Sequence, residues 1–252
     1  MARIVIDWHT IEVKQGVTVL QAAGKAGIQI PALCAHPGLE PLGACRLCLV
    51  EVTAGGKPGL AASCTLPATD GLVVETCSER VLRTRRVLVG LLLARFPESK
   101  VIRELAEALG AKKFGAAVKP SATHFDCVLC GLCVRACRAV GRFAIDFSGR
   151  GTKRMVGPPF GKPPEACTGC RACAAVCPLG SVRAVEKEGY LKILPWQGVF
   201  EAVRCVPCGS SLGTAAQCAG VGERVGDYSY LKLCPACRRR RIASFPGAGF
   251  MS

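Results

Sequence analysis

The sequence has 252 residues, half of them hydrophobic, and 18 are cysteine. We do not expect a secreted disulfide scaffold, because Met1–Asp7 lacks the apolar stretch of a signal peptide and the cysteines fall in C-x-x-C pairs that suit metal binding. The formal net charge is +15, but each four-thiolate metal site would remove about two of these charges, so the basic character does not by itself indicate nucleic-acid binding.

Residues 1–78 are predicted to form a small α+β domain. The runs RIVID and TIEVK alternate apolar and polar residues around Trp8-His9, which predicts a β-hairpin. A capping box at Thr18 and Gln21 predicts the start of a helix that Gly27 can end. Further strands are predicted at 47–52 and 72–76. The domain contains four cysteines with the spacing C-x10-C-x2-C-x15-C: Cys34, Cys45, Cys48 and Cys64.

Residues 79–119 are predicted to be a helical linker. The first helix has an apolar face formed by Val81, Leu88, Leu91 and Leu92, and Pro97 ends it. A second helix carries Ile102, Leu105 and Leu109. Four arginines of the first helix are expected on a solvated face, with a docking surface as the alternative: Arg80, Arg83, Arg85 and Arg86. The longest apolar run, Val87–Ala94, is too short to span a bilayer, so we expect a cytoplasmic protein without direct membrane insertion.

Residues 120–190 contain a repeated motif, CVLCGLCVRACRAVGR at 127–142 and CTGCRACAAVCPLGS at 167–181. The spacing C-x2-C-x2-C-x3-C places three thiolates around one [4Fe–4S] cube, while the following helix carries the fourth cysteine towards the other cube. Zinc does not explain this spacing of three ligands followed by one. The exchange predicts two clusters in a ferredoxin-like domain. The ligands are Cys127, Cys130, Cys133 and Cys177 for the first, and Cys137, Cys167, Cys170 and Cys173 for the second. The Gly- and Pro-rich segment 149–165 is predicted to be a loop.

Residues 191–252 are predicted to form a small cysteine-rich module with a mobile basic tail. Two C-x-x-C knuckles, at Cys205 with Cys208 and at Cys234 with Cys237, have the pattern of a zinc ribbon. A third [4Fe–4S] cluster remains the alternative, with Cys218 as a candidate ligand. The run RRRR at 238–241 lacks the neighbouring aromatic residues expected for nucleic-acid stacking.

The segments IPALCAHPGLEPLGACRLCLVEV and ASCTLPATDGLVVETCSERV resemble the N-terminal [2Fe–2S] domain of the large iron–sulfur subunit of respiratory complex I. They are also similar to the diaphorase iron–sulfur subunit of NAD-linked [NiFe]-hydrogenases and to the N-terminal region of [FeFe]-hydrogenases. The resemblance covers about residues 1–185. It implies a β-grasp fold for 1–78 and a [2Fe–2S] cluster on Cys34, Cys45, Cys48 and Cys64.

Three residues or segments stand outside this pattern. The family's His-Cys₃ [4Fe–4S] site has no counterpart in residues 91–110, which contain neither histidine nor cysteine, so we expect that cluster to be absent. Cys77 is expected to be an ordinary buried thiol. His36 is expected to be structural or solvent-facing, with a hydrogen bond that tunes the cluster as a further role.

The sequence shows no dinucleotide fingerprint, P-loop or other substrate motif. We therefore predict a non-catalytic electron-transfer subunit of a multi-subunit NAD(P)H-linked oxidoreductase. The resemblance implies an FMN- and NADH-binding flavoprotein partner and a further redox subunit or ferredoxin, in a hydrogenase, formate dehydrogenase or electron-bifurcating complex. Two alternatives remain: a self-sufficient enzyme, and a cluster-containing sensor or nucleic-acid-binding protein that uses zinc knuckles at its C-terminus.

Overall fold

The structure is a computed structural model that describes residues 1–115, 126–161, 165–226 and 229–244. The chain has an α+β architecture and divides into two compact units, Met1–Arg135 and Ala136–Ser252. The predicted tail beyond residue 244 lies outside the described residues.

The first unit contains a mixed five-stranded sheet in the order β2-β1-β5-β3-β4. Strands β1 and β5 are parallel, and the other neighbours are antiparallel. The strands are β1 (Ala2–Ile6), β2 (His9–Val13), β3 (Leu49–Ala54), β4 (Gly59–Ala62) and β5 (Val73–Glu75). Alternation in β1 buries Ala2, Ile4 and Ile6 on one face. These side chains share a core with Val19 and Ala22 of helix α1 (Val19–Lys25).

The predicted hairpin and capping box are both present, although the turn lies one residue earlier than the predicted Trp8-His9 because His9 begins β2. Asp7 and Trp8 form the hairpin turn with positive φ angles of 45° and 70°. The Thr18 side chain accepts a hydrogen bond from the Gln21 backbone, and the Gln21 side chain accepts one from the Thr18 backbone, which completes the capping box. Strand β4 was not predicted, because Gly-Leu-Ala-Ala has no β-branched or aromatic residue.

The helical segment contains α2 (Glu79–Arg95) and α3 (Lys100–Leu109). The predicted buried face of α2 is wrong, since Leu91 is 52% exposed and only Val81 of the four predicted residues is fully buried. The face that packs includes Val81, Arg85 and Val89, spaced four residues apart. Apolar residues occur around most of this helix, so their pattern alone does not identify the buried side.

The second unit is built on a four-stranded antiparallel sheet in the order β11-β10-β9-β8. Helix α4 (Leu132–Ala139) includes the boundary between the units and is followed by a hairpin of β6 (Asp146–Ser148) and β7 (Met155–Gly157). The remaining elements are α5 (Ala172–Ala175), β8 (Arg183–Lys187), β9 (Tyr190–Leu194), β10 (Gly198–Arg204), β11 (Ser211–Thr214), α6 (Ala215–Val225) and α7 (Pro235–Ala243).

Two predictions for this unit need correction. The segment 149–165 is not entirely a loop, because β7 lies within it and pairs with β6. The predicted boundary between residues 190 and 191 falls inside β9, since Tyr190 pairs with Lys187 of β8. The arginines of the RRRR run lie on helix α7.

Candidate metal centres

The first cysteine set lies at one end of the five-stranded sheet. Cys34, Cys45 and Cys48 are in the long loop between α1 and β3, and Cys64 follows β4. The pairing of β3 with β4 brings the last two together: Ser63 donates to the Cys48 carbonyl from its backbone N–H at 3.0 Å and from its hydroxyl at 2.7 Å. Three of the four thiols are buried, while Cys45 is partly exposed.

The thiols of this set contact one another in two pairs. Backbone N–H groups of Leu33 and Cys45 donate to the sulfurs of Cys45 and Cys34, each at 3.4 Å. A side-chain hydrogen bond from Cys34 lowers the pKa of Cys45 to about 5, and the same contact raises the pKa of Cys34. Burial, followed by contact with Cys48, raises the pKa of Cys64 to about 12. Burial and mutual contact keep some of these thiols protonated, because closely spaced thiolates repel one another. All four would be thiolates only when bound to a cationic metal centre, and this requirement fits the predicted [2Fe–2S] site.

Arg85 of helix α2 donates hydrogen bonds to the end of this loop and the start of β3. The sequence had predicted this residue on a solvated face. The residue is 3% exposed. Its Nε donates to the Leu47 carbonyl at 2.9 Å, and its Nη2 donates to the Leu49 carbonyl at 2.7 Å. Burial lowers the pKa of Arg85, and the nearby Cys77 and Cys48 act in the opposite direction. The guanidinium therefore places a positive charge behind the Cys45–Cys48 segment.

The two copies of the repeated motif have the same local geometry. In each copy the second and fourth residues after the first cysteine have positive φ: Leu129 and Gly131 in the first copy, Gly169 and Arg171 in the second. The N–H of Leu129 donates to Cys127 Sγ at 3.3 Å, and the N–H of Gly169 donates to Cys167 Sγ at 3.4 Å. The left-handed turns direct backbone donors towards sulfur, as cluster-binding loops require.

The second [4Fe–4S] set surrounds one cavity within the second unit. The cavity is lined by all four predicted ligands: Cys137, Cys167, Cys170 and Cys173. Apolar side chains, among them Ile145, Ile193 and Trp196, form other walls. Burial raises the pKa of Cys173 to about 12 and also raises the pKa of Cys167. These thiols are thus held close together in an environment that disfavours uncompensated charge.

Several hydrogen-bond donors point to a bound cluster in this cavity, because the sulfur atoms of a cluster and its ligands can accept hydrogen bonds. The N–H of Ala144 donates to Cys137 Sγ at 3.3 Å. Among the described residues, the buried Thr168 Oγ1 and Arg171 Nε have no hydrogen-bond partner, and both residues line the cavity. Buried donors normally find acceptors, and the sulfides of a bound cluster would supply them. A side chain at Gly169 would meet Phe200 and Thr214 at 2.8 Å, so the backbone there must be glycine.

The first [4Fe–4S] set is divided along the chain. Cys127, Cys130 and Cys133 belong to the first unit, whereas Cys177 follows α5 in the second. Cys130 and Cys133 are buried. The assignment of Cys177 as their fourth partner depends on the motif spacing.

The C-terminal set is the most compact. The four sulfur atoms of Cys205, Cys208, Cys234 and Cys237 all lie within 4.8 Å of one another. Backbone N–H groups of Cys234 and Cys237 donate to the sulfurs of Cys205 and Cys234, at 3.2 and 3.4 Å. The hydroxyl of Ser210 lowers the pKa of the exposed Cys208 to about 6. Cys218 lies on helix α6 and is not a member of this group.

Two family models match the chain, and each covers a segment that contains predicted cluster ligands. Residues 1–79 match the 2Fe-2S iron-sulfur cluster binding domain, and residues 126–181 match the 4Fe-4S dicluster domain. One chain in a crystal structure of NAD⁺-reducing [NiFe]-hydrogenase is similar at 36% identity with a TM-score of 0.55, covering 63% of this chain and 75% of that one. This chain belongs to the iron–sulfur subunit family of complex I and NAD-linked hydrogenases.

Curated members of this family extend the comparison. The chain is 30% identical to an NADH-quinone oxidoreductase subunit of Rhizobium meliloti, over 90% of this chain and 28% of that protein. It is 35% identical to NADP-reducing hydrogenase subunit HndD of Solidesulfovibrio fructosivorans, over 75% of this chain and 36% of that protein. The chain thus spans about a third or less of the curated relatives it matches.

His36 and Cys77 lie near the proposed [2Fe–2S] ligands in sequence but are not among them. His36 is exposed, as predicted, and its Nδ1 accepts from the Gly38 N–H at 3.1 Å. The prediction that Cys77 is buried is wrong, because Cys77 is exposed directly before the N-cap of α2.

In the described part of the chain, no helix combines the length and apolar character needed to cross a bilayer.

Proposed function

We propose that this chain relays single electrons as the iron–sulfur subunit of a multi-subunit NAD(P)H-linked oxidoreductase. The observation that carries this proposal is the cavity lined by Cys137, Cys167, Cys170 and Cys173. Cysteines from two separate motif copies line it together, as ligand exchange between paired [4Fe–4S] clusters requires. Family membership supports the same role.

The proposed cofactors are one [2Fe–2S] cluster and two [4Fe–4S] clusters, on the ligand sets given by the cysteine spacing. The order of the five strands supports a β-grasp domain for residues 1–78. When bound, the clusters supply one-electron redox chemistry. The protein binds them through thiolates, directs N–H groups at the sulfur atoms, and excludes water with buried apolar side chains, which together set the reduction potentials.

The proposed partners are an FMN-bearing, NADH-oxidising subunit at one end and a second redox component at the other. The second component is a hydrogenase, a formate dehydrogenase, a second flavoprotein or a ferredoxin. Flavin-based electron bifurcation belongs to the same proposal, as does a cytoplasmic location. The relatives' names, which include NADH-quinone oxidoreductase and NADP-reducing hydrogenase, support a nicotinamide-linked complex.

Anaerobic affinity purification from the native host tests this role. We expect a flavin-containing subunit to co-purify and the complex to reduce the chain's clusters with NADH or NADPH. The isolated chain should be reduced by dithionite but not by the nicotinamide alone. Nicotinamide oxidation by the isolated chain would contradict the proposal.

A further inference from the structure

The sulfur atoms of the C-terminal cysteine set lie closer together than the ligands of an iron–sulfur cluster would. Its four sulfurs lie within 4.8 Å of one another, and Cys208 Sγ is 3.6 Å from Cys234 Sγ. Four thiolates at about 2.3 Å from one tetrahedral zinc ion are about 3.8 Å apart. The observed spacing is therefore that of ligands around a single ion.

A [4Fe–4S] cube requires a wider arrangement. Each of its thiolates binds a different iron, so the iron–iron separation adds to the distance between sulfurs. Among the residues that the structure describes, no other group of three or more potential metal ligands meets the 4.8 Å spacing, although the other motifs supply twelve cysteines. The geometry therefore distinguishes the C-terminal set from the cluster motifs of the same chain.

The fold around these cysteines needs a cross-link. Cys205 directly follows β10, and the Gly209 N–H donates to its carbonyl at 2.8 Å in a tight turn. Cys234 is the N-cap of α7, and Cys237 lies in the first turn of that helix. Within the described part of the chain, only Leu212 and Leu233 pack against the cysteines of this core cluster. An apolar core of this size cannot hold a helix against the end of the sheet, whereas a metal ion can.

We propose that Cys205, Cys208, Cys234 and Cys237 bind one structural zinc ion, which fastens helix α7 to the end of strand β10. Four protein thiolates complete the tetrahedral coordination and leave no position for a substrate or water. The site goes beyond the electron-transfer role, because zinc has no redox chemistry and adds no step to the relay.

Metal analysis of anaerobically purified protein tests the site. We expect one zinc per chain in the unmodified protein, a loss of at least tenfold in Cys208→Ser, and full retention in the matched control Cys218→Ser. X-ray absorption at the zinc edge of the unmodified protein should show four sulfur neighbours at about 2.3 Å. A zinc-free protein with extra iron, or equal zinc loss in both variants, would overturn the proposal. EPR signals of the iron–sulfur clusters report separately on the proposed electron relay.

A second inference comes from the side chain of Arg135. In sequence, this residue falls between Cys133 and Cys137 of the first motif copy. Its Nη2 donates to the Cys34 carbonyl at 2.6 Å, and its Nη1 donates to the Glu40 carbonyl. The same guanidinium also donates to its own motif loop, from Nε to Gly131 at 3.3 Å and from Nη2 to Cys130 at 3.4 Å. One side chain thus links two loops that are about a hundred residues apart in sequence.

The linked loops carry ligands of different proposed clusters. Cys34 belongs to the [2Fe–2S] set and Cys130 to the first [4Fe–4S] set, and both are buried. The planar guanidinium offers five donors in a fixed fork, which a lysine ammonium cannot reproduce. Because electron tunnelling weakens exponentially with distance, a side chain that holds these loops together would affect the rate of exchange between their clusters.

We infer that Arg135 is a positioning residue that fixes the [2Fe–2S] loop against the first [4Fe–4S] loop. This inference rests on the cluster assignments of the proposed function. The permanent positive charge between two anionic centres also favours their reduced states.

Rapid-freeze EPR of the holoprotein tests the role of Arg135. In Arg135→Gln we expect both clusters to be retained, a lower [2Fe–2S] reduction potential, and electron exchange slowed several-fold. Arg135→Lys keeps the charge, so its potential should move less while exchange is still slowed. The matched control is Arg138→Gln on the same helix, whose side chain forms an exposed ion pair with Asp146. Unchanged potentials and rates in both Arg135 variants, or equal effects in the control, would overturn the inference. Iron content and EPR of the unmodified protein test the cluster assignments independently.

Discussion

Arg85 and Cys48 show how single side chains determine the environment of the proposed [2Fe–2S] centre. The guanidinium of Arg85 binds the carbonyls on both sides of Cys48 while almost fully buried. Charge and hydrogen bonding near a cluster set its reduction potential. The buried arginine therefore acts on both the stability and the potential of this site.

Arg85→Met should destabilise the protein by about 2 kcal/mol, because two buried carbonyls lose their donors. It should also lower the [2Fe–2S] potential, since a nearby positive charge is removed. Denaturant unfolding and EPR redox titration measure the two effects. Arg83→Met is the matched control, because Arg83 is an exposed residue of the same helix. Equal behaviour of the two variants would contradict this account of Arg85.

At the residue scale, sequence spacing groups the cysteines better than it predicts their surroundings. The spacing places Cys137 with Cys167, Cys170 and Cys173, and the structure arranges these four around one cavity. Arg85 and Cys77 were wrongly assigned, because burial depends on contacts distant in sequence. The only local signal for Arg85 is its four-residue spacing from Val81 and Val89 on one helix face.

Short loops with left-handed residues, rather than regular helices and strands, form the proposed cluster sites. The two motif copies share positive φ angles at equivalent positions and the same N–H to sulfur hydrogen bond. Helix α4 contains Cys133 and Cys137, whereas α5 contains Cys173 and ends before Cys177. The proposed ligand exchange predicts that the loop and the fourth cysteine of one motif serve different clusters.

Cys177→Ser should damage the cluster held by Cys127, Cys130 and Cys133, because the exchange assigns Cys177 to that set. The cluster bound mainly by the second motif should keep its EPR signal. Cys218→Ser provides a control outside both motifs. Selective loss of the other [4Fe–4S] signal would refute the exchange.

At the element scale, the strongest local signals predicted the hairpin of β1 and β2, the capped helix α1, and the segments that become β3 and β5. Of the strands that were not predicted, β4 and β7 are short, and pairing with their neighbours defines them. The domain boundary predicted at residue 190 lies inside β9, which is paired with β8.

At the scale of the whole molecule, the chain combines three kinds of sulfur site within two compact units. The formal charge of +15 is partly offset if twelve thiolates bind clusters and four bind zinc. The ordered cysteine sets predicted the family from the sequence alone, and the similarity to known proteins confirms it. The C-terminal site required the three-dimensional structure, since the spacing of five cysteines left both zinc and a third cube possible.

The central claim, that ordered thiolate sets make this chain a carrier of iron–sulfur clusters, is tested most directly by iron analysis with EPR of anaerobically prepared protein. We predict about ten iron atoms per chain, the sum for one [2Fe–2S] and two [4Fe–4S] clusters, and separate signals from each type on stepwise reduction. A colourless protein without iron, or one that shows signals of a single cluster type, would contradict the account.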